Sequence, residues 1–314
     1  MSLKIIKAGL QTTLQGAPFV GHRHIGMPAA GAADCLSFAL ANRLVGKATN
    51  EVALEITLSA AEFEALDESV IALTGAADTF EINGQNRPLH HSIAVKAGDI
   101  ISIGAAITGC RSYLAISPKL ECDILLGSGS TYIGAALGGH HGRALKNGDI
   151  IGYKSQSDIV RDGAETPTTL RPAMSNNFIL RATIGPEYST IDGGGEILFA
   201  TRWRIGNRAD RMGMALDGPK LNTDIATEMN SSPVFPGTIQ CPANGTPILL
   251  GPDAQTTGGY PRLAQIIRAD RHLIGQLKPG SEVQLVRVSP KRATEIYQEK
   301  RKLLQDWLGP ITLW

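Results

Sequence analysis

The chain has 314 residues, 43% of them hydrophobic, and a formal net charge of +1, which offers no electrostatic footprint for nucleic acid or an anionic membrane. No run of about 18 apolar residues occurs, so a membrane-spanning helix is excluded, and the opening MSLKIIKAGLQTT lacks the apolar core and cleavage signal of a secretory leader. A cytoplasmic location is expected.

Glycine is frequent, at 35 residues, and charged residues make up only 19%, against about 25% in ordinary domains. Tight turns and many short strands fit that balance, as in barrels. The cysteines, Cys35, Cys110, Cys122 and Cys241, form no Cys-x-x-Cys pair and read as reduced thiols packed like small hydrophobes.

In chain order, Asp34 can cap a helix running to Gly46, with Leu36, Leu40 and Leu44 on one face. Short β-rich runs follow: Val70–Leu73 before Thr74-Gly75, Thr79–Ile82 before Asn83-Gly84, and Ile100–Ile103 before Gly104. Asn83-Gly84 is a strong hairpin signal. Three segments share one pattern of a turn feeding a strand: Ala97–Asp99 into Ile100–Ile103, Asn147–Asp149 into Ile150–Tyr153, and Pro279–Ser281 into Glu282–Val286. The third echoes the first two, which points to two similar β-barrel units. Between them Ser155–Pro172, rich in Ser, Asp, Thr and Pro, reads as a linker or crossover. Arg262–Arg268 is ambiguous and is read as a strand, and Asp270–Leu277 as a short helix. Ser289-Pro290 opens a last helix whose apolar stripe is Ile296, Leu303, Leu304 and Trp307. The expected fold is mainly β, with tandem barrels over 1–160 and 173–289, few short helices, and an amphipathic C-terminal helix over 290–308.

The most informative stretch for chemistry is Asp253–Pro261. It follows an apolar strand, Pro247–Leu250, and therefore sits at a strand end, where binding loops gather. Gly258 and Gly259 let backbone N–H groups converge on an anion or carbonyl oxygen. Thr256 and Thr257 add hydroxyls, Gln255 an amide, and Asp253 a group able to move a proton. A Gly-Gly hairpin with polar flanks is the structural alternative. A second cluster, Gly127–Tyr132 continuing to Gly138–Arg143, resembles a phosphate loop in composition but lacks the Gly-Lys-Ser/Thr ending. Arg143 remains a candidate anion clamp. The histidines His22, His24, His90, His91, His140, His141 and His272 form no natural chelate, since adjacent pairs on a strand face opposite ways. No metal site is expected, and neither a Gly-x-Ser-x-Gly elbow nor a His-Glu-x-x-His helix is present.

Several stretches, in order from about residue 8 to 288, resemble the carboxyltransferase A/B subdomain family. They are Gly26–Asp34, Ala41–Gly46, Leu54-Glu55, Thr74–Ala76, Ala97–Asp99, Gly138-Gly139 and Gly142–Leu145. In the second half they are Asp210–Gly213, Leu216–Pro219, Pro236–Gln240, Pro247-Ile248 and Gln255–Pro261. The family includes the C subunit of prokaryotic 5-oxoprolinase, part of urea carboxylase, and the antagonist of a sporulation-kinase inhibitor. The resemblance implies cyclophilin-like β-barrels and an obligate C/D-type partner subunit. With a metal-dependent lactam-hydrolase subunit, such proteins cleave 5-oxo-L-proline to L-glutamate using ATP with magnesium. Together with the residue reading above, it gives Asp253, Gln255, Gly258 and Gly259 as catalytic candidates, with Thr256, Thr257, Tyr260, Gln240, Arg143, Arg211, Asp34, Asn42 and Glu55 as substrate-binding ones. For Asp34 a helix cap is an equal reading, and Asn42 and Arg211 serve equally as structural hydrogen-bonders.

The chain departs from the family pattern at Gly16 and Phe19, where an acid and an arginine are usual, at Pro118 and Lys119, usually Gly-Gly, and at Gly129, usually arginine. The leading expectation is a C-type 5-oxoprolinase subunit, inactive alone, with a hydrophobic partner interface involving Leu304 and Trp307. One rival is a biotin-dependent carboxyltransferase half, with biotin on a separate carrier because no Met-Lys-Met site is present. The other is a non-catalytic regulator that binds a kinase-inhibitor protein.

Overall fold

The computed structural model describes residues 2–154, 162–222, 229–311 and 313. The fold is mainly β, and the chain divides into two compact units: residues 1–19 with 34–174, and residues 20–33 with 175–314.

The first unit holds strands β1 (Ser2–Lys7), β2 (Gln11–Gln15), β3 (Ala53–Thr57), β4 (Ala61–Ala65), β5 (Ser69–Gly75) and β6 (Phe80–Ile82). It continues with β7 (Gln85–Asn86), β8 (Ser92–Val95), β9 (Ile100–Ile103), β10 (Arg111–Ile116), β11 (Lys119–Leu120) and β12 (Ile150–Lys154). They form a seven-stranded sheet, ordered β11-β12-β1-β4-β9-β6-β7, and a five-stranded sheet, ordered β2-β3-β10-β5-β8. Leu3, Ile5, Phe63 and Ile101 of the larger sheet share one core with Leu14, Leu54, Ile71 and Leu114 of the smaller. Helix α1 (Cys35–Leu44) packs on β5 and β10, which is why all six residues of β10 are buried. The Asn83-Gly84 turn joins β6 to β7, as expected, with both residues at positive φ.

In the second unit the strands are β13 (Asn177–Ile184), β14 (Arg202–Ala209), β15 (Gly213–Asp217), β16 (Ser232–Pro233) and β17 (Thr238–Gln240). They are followed by β18 (Ile248–Leu250), β19 (Thr257–Gly258), β20 (Arg262–Ile266) and β21 (Glu282–Arg287). Seven of these close a barrel in the order β13-β20-β17-β18-β15-β14-β21. The parallel pairing of β13 with β21 is part of that closure, aligning Asn177 with Glu282 and Ala182 with Arg287. Alternation fills the interior: Phe178, Leu180 and Ala182 of β13 meet Trp203, Leu216, Leu249 and Val283. Trp203 is fully buried, and its indole N–H donates to the Leu198 carbonyl at 2.9 Å, so its one polar atom is satisfied.

The helices at Asp34 and Ser289 are present, with α2 (Glu196–Ala200) between them and α3 (Pro290–Leu308) last. Residues 268–276 form a 3₁₀ helix where a short helix was expected, and Arg262–Ile266 is a strand. The stripe on α3 differs from expectation: Ile296, Leu304 and Leu308 are buried, whereas Leu303 is 59% exposed. Of the expected linker, 155–161 lies outside the described residues. The rest is tied into the first unit, where Thr166 N–H donates to the His90 carbonyl and Glu165 bridges His91.

Candidate functional site

The loop 253–261 is set by three features of the second unit. After β18 the chain runs back to back with 211–212: Gly251 N–H donates to the Met212 carbonyl, and Asp253 N–H to the Arg211 carbonyl, each at 2.9 Å. A Cβ at Gly251 would lie 2.3 Å from the Arg211 carbonyl oxygen, so only glycine allows this approach. Beyond it, β19 pairs with β16, aligning Thr257 with Pro233 and Gly258 with Ser232. Gly258 is thus partnered with a residue far earlier in the chain. Neither Gly258 nor Gly259 is at positive φ, and the Gly-Gly hairpin alternative is set aside.

Asp253 is buried, and both its oxygens accept from Arg211, Oδ2 from Nε and Oδ1 from a terminal nitrogen, each at 2.8 Å. The same guanidinium donates to the Gly31 carbonyl at 2.7 Å. A two-point fork of this kind anchors geometry. The proton-moving role expected of Asp253 therefore meets a carboxylate already occupied by its own protein, while Arg211 takes the structural reading.

Beside this anchor lies a cavity of about 590 Å³ on the outer face of the barrel. Met214 and Leu216 point into the barrel core, so their neighbours Gly213, Ala215 and Asp217 face outward and line the cavity. Ile248 and Leu250 add apolar lining, and Asn244, Thr246, Arg208 and Asp210 add polar groups. Two sequence candidates meet here, Gln240 and Gln255. Gln240 is only 3% exposed, and its Oε1 has no hydrogen-bond partner among the described residues. Gly258 sits directly against it: a Cβ there would stand 3.0 Å from Gln240 Oε1 and 3.8 Å from Gln255 Nε2. Thr257 and Tyr260 are exposed on the same loop, and Thr256 is half-buried, its carbonyl accepting from Val234 N–H at 3.1 Å.

The remaining candidates belong to the first unit. Asp34 caps α1, accepting from Leu36 N–H, Ser37 N–H and the Ser37 hydroxyl. Its own N–H donates to the Tyr113 hydroxyl, which donates to Glu55 Oε2 at 2.8 Å, while Glu55 Oε1 lies 3.3 Å from Arg111 Nε. Burial, then Glu55 and Asp34, push the Tyr113 phenol well above its ordinary pKa, so it stays a donor. Asn42 donates to the Glu51 carbonyl, and its Oδ1 has no partner among the described residues, but it does not border the cavity. Arg143 forks onto Asp149 at 2.7 and 2.9 Å. That hydrogen bonding holds the Asp149 carboxyl down to about 2. The anion clamp expected of Arg143 is filled by the protein's own carboxylate.

A carboxyltransferase-domain family model, subdomain A and B, matches residues 25–287. The chain belongs to this carboxyltransferase A/B family. It is 34% identical over 305 residues to the C subunit of 5-oxoprolinase from Escherichia coli, covering 97% of each chain. To urea amidolyase of Saccharomyces cerevisiae it is 31% identical, covering 97% of this chain but 17% of that protein. Among solved structures, the urea amidolyase of K. lactis superposes with a TM-score of 0.91 at 28% identity, over 98% of this chain and 20% of that one.

Within this family member, the cavity residues that motif reading missed are Arg208, Asp210, Asn244 and Asp217. Asp210 and Asp217 stand in motifs that carry the resemblance, and Asp217 alternates with inward Leu216, which was the available signal. Asp210 Oδ1 accepts from Met212 and Gly213 N–H, shaping the turn at the cavity's edge.

Proposed function

We propose that this chain is the C-type component of an ATP-dependent 5-oxoprolinase. With a C/D-type partner and a metal-dependent lactam hydrolase it would open 5-oxo-L-proline to L-glutamate, and its own share would be to hold the amide at the cavity beside loop 253–261. The observation that carries this reading is the end-to-end match to a 5-oxoprolinase C subunit, 97% of each chain. The cavity's chemistry agrees: four carboxamides, Asn207, Gln240, Asn244 and Gln255, border it, and Arg208 is the one cation among its described lining residues. An amide ligand takes such donors and acceptors, and a guanidinium suits its carboxylate.

We assign ATP to another part of the assembled enzyme, on the charge of this cavity's lining in the absence of a divalent cation. Asp210 and Asp217 oppose the single cation, Arg208, and a triphosphate would meet net repulsion there. The chain's own contribution is positional: the Arg211–Asp253 fork fixes the loop's entry, and the backbone at Gly258 and Gly259 is free of side chains where a reacting carbonyl would need donors.

A second reading, carboxyl transfer to urea with biotin carried on another chain, is favoured by the K. lactis superposition. Urea is also a small planar amide, so the same cavity serves either. Purification of the native complex followed by ATP-dependent glutamate release from 5-oxoproline tests the first reading. Glutamate release by the complex, and none by this chain alone, is expected. Urea-dependent ATP turnover with no response to 5-oxoproline would replace it with the second.

A further inference from the structure

We propose that Gln240 reads the N–H edge of the bound amide, so that the cavity selects cis amides that keep an N–H, meaning lactams and ureas, over their N-alkylated counterparts and over trans amides. The inference rests on the amide-binding reading above and names the group that makes the choice.

Gln240 is 3% exposed, borders the cavity, and leaves Oε1 without a partner among the described residues. A buried acceptor left unpaired is a standing penalty that an arriving donor removes. Nothing among the described residues pins the carboxamide through that oxygen, and the last torsion of a glutamine is broad, so it can turn its acceptor toward a ligand. The oxygen is buried against Gly258, where any side chain would begin 3.0 Å from it, so a ligand meets it once the carboxamide turns toward the cavity, and a side chain at 258 would obstruct that turn. Gln255 Nε2 lies 3.8 Å from that same point and also borders the cavity. An acceptor and a donor thus both lie within 4 Å of one point beside Gly258. A cis amide presents its N–H and C=O along one edge and can meet both. A trans amide points them in opposite directions and can meet only one. N-Alkylation removes the donor that Gln240 Oε1 needs and adds bulk where Gly258 leaves none.

Lactams and urea share this edge, and Arg208 distinguishes them, because 5-oxoproline carries a carboxylate and urea does not. The test is equilibrium binding to the full-length protein with the subunits it co-purifies with. The probes are 5-oxoproline, N-methyl-5-oxoproline, urea and tetramethylurea. The wild-type protein is expected to prefer an N–H ligand over its N-methyl counterpart by about tenfold or more, the scale of one buried hydrogen bond. Gln240→Leu should erase that preference, and Gln240→Glu, which keeps an acceptor, should retain it. Arg208→Met should weaken 5-oxoproline and leave urea unchanged. If Gln240→Leu does not fold, Gly258→Ala gives the same comparison, because its methyl group blocks the oxygen. Equal affinity for the N–H and N-methyl ligands would overturn the inference while glutamate release still stood, and so would binding of none of the four. Preference within the urea pair alone, with no 5-oxoproline binding, would support Gln240 as the reader and sink the 5-oxoprolinase reading instead.

Discussion

Glu55 in the first unit and Gln240 in the second are both buried polar side chains on β-strands, 1% and 3% exposed. Glu55 has Tyr113 on one oxygen and Arg111 beside the other, and Asp34, at the far end of the chain of contacts, spends its oxygens on the start of α1. Every link is internal, and such networks rigidify a core. Gln240 keeps an oxygen without a partner among the described residues, at the edge of a cavity. Residue type does not separate scaffold from site here. What separates them is whether the protein has already used the polar atom.

The Arg211–Asp253 pair presses hardest on that distinction, because it lies in the loop read as the site yet is internally satisfied. Its side chains are 5% and 7% exposed, and removing one partner leaves a buried charge uncompensated, at about 3–5 kcal/mol. Arg211→Met is expected to lower unfolding free energy by that amount in chemical denaturation, and Asp253→Asn by a large part of it. Should Asp253→Asn denature like the wild-type protein while turnover by the assembled complex disappears, Asp253 would be a chemical group and not an anchor.

His90 offers the converse case, an unpartnered atom away from the cavity. It is 7% exposed, its Nδ1 has no partner among the described residues, and burial, then Arg171 and His91, depress its pKa to about 4. The unfolded chain binds this proton near 6.5, so stability is complete above that pH. It falls as pH drops from 6.5 to about 4, by about 1.4 kcal/mol per unit, or roughly 3 kcal/mol in all. His90→Asn, which tolerates the positive φ at this position, should flatten that limb. A separate loss below 3.8 should persist, because Asp149, held down to about 2 by Arg143, surrenders its contribution only there. An unchanged slope between pH 6.5 and 4 would show that the burial of His90 does not govern acid sensitivity.

Local signals were legible in the sequence where one short segment contained the whole cause. Asp34 before Leu36, Leu40 and Leu44 specified α1, and Ser289-Pro290 opened α3, where the Ser289 side chain accepts from Arg292 N–H. Long-range pairings were not legible. The barrel closes through β13 and β21, about a hundred residues apart, and Arg211 meets Asp253 across 42 positions. On α3 the buried face runs Ile296, Leu304, Leu308 at multiples of four, and Leu303, one residue off that row, turns to solvent. Leu304, expected to serve a partner, is 2% exposed in the chain, so a docking surface must use other residues. Gln240 entered only through its family motif, since nothing in a run of Thr238-Ile239-Gln240 reveals that one oxygen lacks a donor.

The smallest effect expected separates the two glycines of the loop. Neither is at positive φ, so alanine meets no left-handed backbone strain at either, and the difference lies in what its methyl group touches. At 258 the added methyl group meets Gln240 Oε1 at 3.0 Å and Val234 Cγ1 at 3.5 Å; at 259 the nearest atom is the Met229 carbonyl oxygen, at 3.2 Å. Only the first touches the proposed amide reader. Gly259→Ala should therefore shift unfolding free energy by about 1 kcal/mol, since the Met229 carbonyl must give by a few tenths of an ångström. Ligand affinity and the preference for N–H ligands should stay close to those of the wild-type protein, while Gly258→Ala loses the preference. If turnover of the complex nevertheless falls at least about tenfold in Gly259→Ala with affinity intact, the lost step is a backbone donor to the developing oxyanion, for which effects of that size or larger are usual. Loss of the preference in Gly259→Ala equal to that in Gly258→Ala would instead mean that the loop acts as one rigid ribbon, and the special place given to the contact between Gly258 and Gln240 would fall.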